Sequence, residues 1–232
     1  MTDFSLILND AINLIFNLNH EYVNIILTSM IVSFFAIILS LFLSLPIAAF
    51  LSIAKFKGKS LILIMFNSLM ALPPVVVGLI LYLLLSSQGI FSSYNLLYTV
   101  QAMIIAQTII ITPIMVSLSV ESIDYYKRQY FQLLQSLHAT TRIKIMTLMW
   151  ESRSSLLINM LAGLGRSLSE VGAIIIVGGN IAELTRTMTT GIVLETSRGE
   201  LTIALSLGIT LIAISISINI AAYIIKQKIT YE

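Results

Sequence analysis

The stretch YVNIILTSMIVSFFAIILSLFLSLPIAAFLSIAKFKGK, residues 22–59, decides the fold of this chain. Residues 22–54 hold no charged side chain, and then Lys55, Lys57 and Lys59 arrive together. About 20 apolar residues carry a helix across the hydrocarbon core of a bilayer. At 1.5 Å per residue the uncharged run is roughly 50 Å long, so it must tilt, kink near Pro46 or project beyond the bilayer. No Lys or Arg precedes Lys55. Basic loop residues stay cytoplasmic, which sets the N-terminal end of this segment outside and its lysines inside.

The same reading extends over the rest of the chain. Residues 60–120 are uncharged and leave room for two spans, with Gly89 and the polar run Ser86, Ser87, Gln88, Ser92, Ser93, Asn95 marking the turn between them. Pro73 and Pro74 fall inside the second span and Pro113 inside the third, where proline bends a helix and frees carbonyl groups. A fourth span is expected over 154–177 and a fifth over 201–225. Inside segments then hold ten basic and four acidic residues, outside segments two basic and six acidic, as an N-out, C-in chain requires. The expected fold is an all-α integral membrane protein of five transmembrane helices, one membrane domain over 1–232. Residues 1–21 alternate apolar and polar positions, which fits an extracytoplasmic amphipathic segment at the interface or a frayed polar terminus. They lack the basic n-region of a cleavable signal.

Composition excludes several classes of function. With 57% apolar and 10% charged residues and a mean hydropathy of +0.97, a lone soluble globule could not hide its apolar surface. The net charge of +2 is scattered over loops and argues for no nucleic acid. The absence of Cys removes disulfides, thiolate metal sites and thiol catalysis. His20 and His138 lie outside the spans, no Asp lies within one, and Ile53 stands where a phosphate-binding loop ending in Gly58-Lys59-Ser60 needs its first Gly. No catalytic residue, metal or bound cofactor is therefore expected of this chain.

Residues 121–153 form the one long cytoplasmic segment. Tyr125, Tyr126, Tyr130, Phe131, Leu133, Leu134 and Leu137, then Ile143, Ile145, Met146, Leu148 and Met149, suggest two short amphipathic helices around His138-Ala139-Thr140. Such a ridge suits a groove on another protein or a layer of anionic lipid headgroups. Gln132 to Arg142, continuing to Trp150-Glu151, resembles the coupling loop of ABC importer permeases. Gln132-Leu133-Leu134 replaces that loop's Glu-Ala-Ala, His138 its Gly and Trp150-Glu151 its Leu-Pro. A Gly there permits a positive φ, which His adopts at a cost.

Further on, GRSLSEVGA from Gly165, VGGNI from Val177, TRTMTT from Thr185 and LETS from Leu194 resemble the permease subunits of tungstate and molybdate uptake systems, the tungstate branch most. The resemblance implies a homodimeric pore, two cytoplasmic ATPase subunits that use ATP-Mg, and an extracytoplasmic oxyanion-binding protein. It also implies ATPase coupling through Arg128, Gln132, Leu137, His138, Ala139, Thr140 and Arg142. Another oxyanion such as sulfate stays open as cargo, as does an ATPase-independent transporter or channel, although five spans without an inverted repeat argue against the latter.

Arg166 and Glu170, four apart on one helix face, are expected to pair, either as an internal lock or as part of a pathway. Gly178, Gly179 and Asn180 end the fourth span, and Thr185, Arg186, Thr187, Thr189 and Thr190 follow at the outer mouth. Amides and hydroxyls of this kind suit a tetrahedral anion, and a plain re-entrant turn accounts for them equally. Pro73, Pro74, Arg166, Glu170, Gly178, Gly179, Asn180 and Thr187 are the pore and gate candidates. Arg198 and Glu200 are read as loop charges or docking contacts.

Overall fold

An apolar run without glycine satisfies its own backbone as one helix, and His20–Ile53 does so over 34 residues that include Pro46. The structure is a computed structural model that describes residues 4–17, 19–54 and 56–231. Of the charges used to orient the chain, Asp3, Lys55 and Glu232 lie outside the described residues, as do the side chains of Lys226 and Lys228. The elements in chain order are α1 (Phe4–Asn17), α2 (His20–Ile53), α3 (Lys59–Leu69), α4 (Pro74–Leu85), a 3-10 turn (Ser92–Tyr94), α5 (Val100–Ser136), α6 (Thr141–Glu151), α7 (Arg153–Leu168), α8 (Gly172–Gly178), α9 (Met188–Arg198) and α10 (Leu201–Tyr231). All are helical, and α1 covers most of the expected amphipathic segment with Leu6 and Phe16 exposed.

Among the described residues three helices, α2, α5 and α10, are long and apolar enough to cross a membrane, and the number reaches five when α3 with α4 and α7 with α8 each count as one crossing. The second and fourth expected spans are thus each two helices. Pro73 is extended (φ −64°, ψ 121°) and Pro74 opens α4. Proline is tolerated in a first helical turn because the amide it lacks would have no intrahelical acceptor there. The prolines start a helix rather than bend one. Pro113, by contrast, lies within the unbroken 37 residues of α5.

The cytoplasmic segment also differs from expectation. Its first short helix does not exist separately, because α5 runs on to Ser136; α6 is the second. Between them His138 has φ +45°, and its N–H bonds the Gln135 carbonyl at 3.0 Å while the Ala139 N–H bonds that of Leu134 at 3.1 Å. The Thr140 hydroxyl then caps α6 by accepting the Ile143 N–H. His138 thus adopts the left-handed turn that the glycine of the wider pattern provides.

The chain divides into two compact units, one of Met1–Ala36, Pro73–Gln107 and Gly165–Ile218, the other of Ile37–Leu72, Thr108–Leu164 and Asn219–Glu232. In the first, Tyr22, Ile25, Met188 and Leu207 form a buried cluster, and the Tyr22 hydroxyl donates to the Ser206 carbonyl at 2.9 Å. Helices α4 and α8 meet backbone to backbone: a Cβ on Gly78 would lie 2.8 Å from the Ala173 Cα. Small residues allow such approach where the hydrophobic effect does not drive helices together. In the second unit Leu51, Val116, Val120, Ile123, Leu134 and Leu148 make the core, and Asn159 donates to the Ser122 hydroxyl at 2.9 Å.

Two predictions come from this packing. Gly78→Ala forces the α4 and α8 backbones apart and costs about 1–3 kcal/mol, whereas Gly165→Ala, with nothing within 4 Å of the added carbon, stabilises α7 by roughly 0.5–1 kcal/mol. Thermal unfolding in detergent reads both, and equal midpoints for the two variants would refute the close approach. His138→Gly relieves the left-handed strain and raises stability by about 1 kcal/mol; a lowered midpoint would contradict a positive φ at His138.

Candidate functional site

Helix α7 ends at Leu168, and the chain re-enters a helix at Gly172. Between them stands Glu170, whose side chain is 7% exposed. Its Oε1 accepts the N–H groups of Val171 at 3.1 Å and Gly172 at 2.9 Å. Its other oxygen lies 3.5 Å from the Arg166 guanidinium, and its carbonyl accepts the Thr189 hydroxyl at 2.9 Å. The expected pair therefore forms, but not along one helix face: Glu170 lies past the end of α7 and reaches back. One carboxylate ties α7 to α8 while its own carbonyl ties both to α9. Arg166 keeps 45% of its side chain exposed, so the cationic half of the pair faces open space and the anionic half does not.

The threonines are not an open row. Thr185, Thr187, Thr189 and Thr190 are all buried. The Thr185 hydroxyl donates to the Gly178 carbonyl at 2.5 Å and accepts from the Ile181 N–H at 3.0 Å. Thr187 and Thr190 form a reciprocal capping box at the start of α9. Arg186 is similarly occupied, 3.1 Å from Glu21 and 3.9 Å from Glu195, and Arg198 lies 3.3 Å from Glu195. Of the two readings the sequence left open, an anion-binding mouth and a plain turn, these bonds favour the turn, because the four hydroxyls and the Arg186 guanidinium all have partners within the chain. Gly178 is buried at the end of α8, Gly179 closes the helix with φ +70°, and Asn180 continues the turn with φ +50°. The Tyr98 ring covers Gly179, where a Cβ would come within 2.7 Å of it. Pro73 is exposed and Pro74 half-buried at the start of α4.

On the α5–α6 side, Arg128, Gln132, Leu137, His138, Thr140 and Arg142 are exposed, while Ala139 packs on the core. Of the expected apolar ridge, Ile143 and Met146 are exposed on α6 while Leu148 is buried, and Trp150, which the sequence reading did not include in the ridge, is exposed with them. Their spacing of three and four, one helix face, was the available signal. The Arg153 guanidinium sits 4.6 Å from the centre of the Trp150 ring. Glu151, which stands in place of proline, accepts the Tyr130 hydroxyl at 2.8 Å and so fastens the end of α6 to the extension of α5.

No protein-family model matches the chain. Individual relatives match over nearly its full length. The tungstate uptake system permease protein TupB of Campylobacter jejuni is 35% identical over 217 residues, 94% of this chain and 91% of the relative. TupB of Peptoclostridium acidaminophilum is 34% identical over 218 residues, 94% and 96% of the two chains. The "Probable anion ABC transporter permease protein" of Haloferax volcanii is 35% identical over 209 residues, 88% and 90%. Identity at this level over 88–94% of its length makes the chain a member of the ABC transporter permease family.

Proposed function

We propose that this chain is the membrane-spanning, non-catalytic subunit of an ATP-driven importer that brings tungstate across a prokaryotic inner membrane. The observation that carries the reading is the match to two tungstate permeases over 94% of the chain. In it the chain makes five crossings, N-out and C-in, and two copies form the pore. Two ATPase subunits, which bind and hydrolyse ATP-Mg, dock on α6 and the α5–α6 turn, and an extracytoplasmic binding protein delivers the oxyanion. The exposed ridge of Leu137, Ile143, Met146 and Trp150 beside Arg142 supports that docking, since aromatic and Arg anchors dominate such interfaces. At the pore, Arg166 offers a cation that Glu170 half neutralises, which attracts an oxyanion without trapping it. The breaks at Pro73–Pro74 and at 178–180 are the proposed gates.

Uptake of radioactive tungstate by the reconstituted complex, with molybdate and sulfate as competitors, tests the cargo. ATP-dependent uptake that excess sulfate leaves intact is expected; uptake without ATP, or none of tungstate, would end this reading. Trp150→Ala is expected to weaken retention of the ATPase subunit at least about 30-fold, and unchanged copurification would remove α6 from the interface. Because the chain has no Cys, single cysteines at Lys57 and Glu183 report sidedness cleanly. A membrane-impermeant maleimide added outside should label the second only.

A further inference from the structure

The carbonyl of Ser52 closes α2, where a helix leaves its last acceptors without intrahelical donors. Two ammonium groups converge on it: Lys59 Nζ at 3.4 Å and Lys127 Nζ, which reaches it from α5. Beside them opens a cavity of about 350 Å³ whose charged lining is Lys127 and Lys144 and whose apolar walls are Ile53, Phe131, Leu134 and Leu148. Among the described residues no carboxylate lines it. A second hollow of similar volume shares Lys127 and Phe131 and adds Arg128 with Asp124. Asp124, 3.9 Å from Lys127, is the one carboxylate among the described residues that line the two hollows.

The cavity lies at the end of the uncharged run of residues 22–54, where lysines begin, and basic residues at the end of a span meet the headgroups of the cytoplasmic leaflet. A site with cations on one side and Phe131, Leu134 and Leu148 on the other fits a ligand that is anionic at one end and apolar at the other. A free oxyanion would use the ammonium groups and leave those walls uncovered. Basic pockets between helices on the cytoplasmic side take anionic headgroups for this reason.

We propose that this cavity binds the phosphate of an anionic phospholipid of the inner leaflet, with the acyl chains of the lipid against the apolar wall. The proposal rests on the cytoplasmic placement of α6 in the proposed importer. It makes the pose of α6 dependent on the lipid that α2, α5 and α6 share.

The test uses the full chain in lipid discs and measures lipid retention alone, without ATPase or tungstate, so it can fail while transport stands and succeed while transport fails. Native mass spectrometry compares retention of phosphatidylglycerol and phosphatidylcholine after release from discs containing equal shares of both. Phosphatidylglycerol should be retained preferentially, and Lys144→Gln should lower that preference about fivefold. Lys144→Arg should keep it, which separates charge from misfolding, and Arg198→Gln, at a cation of the other unit that lines neither hollow, should leave it unchanged. Equal retention of the two lipids, or an undiminished preference in Lys144→Gln, overturns the proposal. So does Lys144-dependent binding of radioactive inorganic phosphate in discs of phosphatidylcholine alone without preference for phosphatidylglycerol, which would make this a site for free oxyanions.

Discussion

A helix interrupted inside an apolar span exposes amide groups that lipid cannot satisfy, and the Glu170 carboxylate takes two of them. Much of the first unit depends on that arrangement. It lets α7 stop at Leu168 and α8 begin at Gly172, and the carbonyl of the same residue holds Thr189 of the next helix. The charge this requires is not left bare, because Arg166 stands 3.5 Å away. A glutamine could accept the same two amides through its oxygen, but it would leave the guanidinium without a counter-charge at a depth where unpaired charge is costly.

Polar groups elsewhere follow the same economy. Thr185, Thr187, Thr189 and Thr190 read in sequence as a hydroxyl row facing an anion, and each turns inward to a carbonyl, an amide or another hydroxyl. Arg186, between two acidic groups, is a structural cation. The turn from Gly178 to Met188 has no regular ladder of its own, so its side chains provide much of the bonding that a helix would otherwise supply.

The long apolar helices were legible because residues 22–54 and 60–120 carry no charge, a signal that packing cannot alter. The break at Glu170 was not legible: Arg166 and Glu170 four apart read as one helical face, and nothing local in LSEVG announces that the helix ends two residues before the acid. The continuation of α5 to Ser136 was hidden for a related reason. The charges from Glu121 to Arg128 end the apolar run, so the residues after them read as a separate short helix, although they are compatible with one helix that has left the hydrocarbon. His138 is the reverse case, since its position in the coupling-loop pattern pointed to the left-handed turn that the structure contains. The Tyr130–Glu151 bond needed coordinates, because the two residues are 21 positions apart and on different helices.

The meeting of α4 and α8 carries a mechanical consequence. Where Gly78 faces Ala173 and Gly172 faces Val75, little side-chain matter lies between the backbones to change rotamer and absorb displacement. A contact of that kind is stiff. Shear between these two helices would have to lift one backbone over the other, so they move as one strut or not at all. Compliance beside α8 is then confined to the places where the chain is not helical, residues 169–171 at one end of it and residues 179–187 at the other.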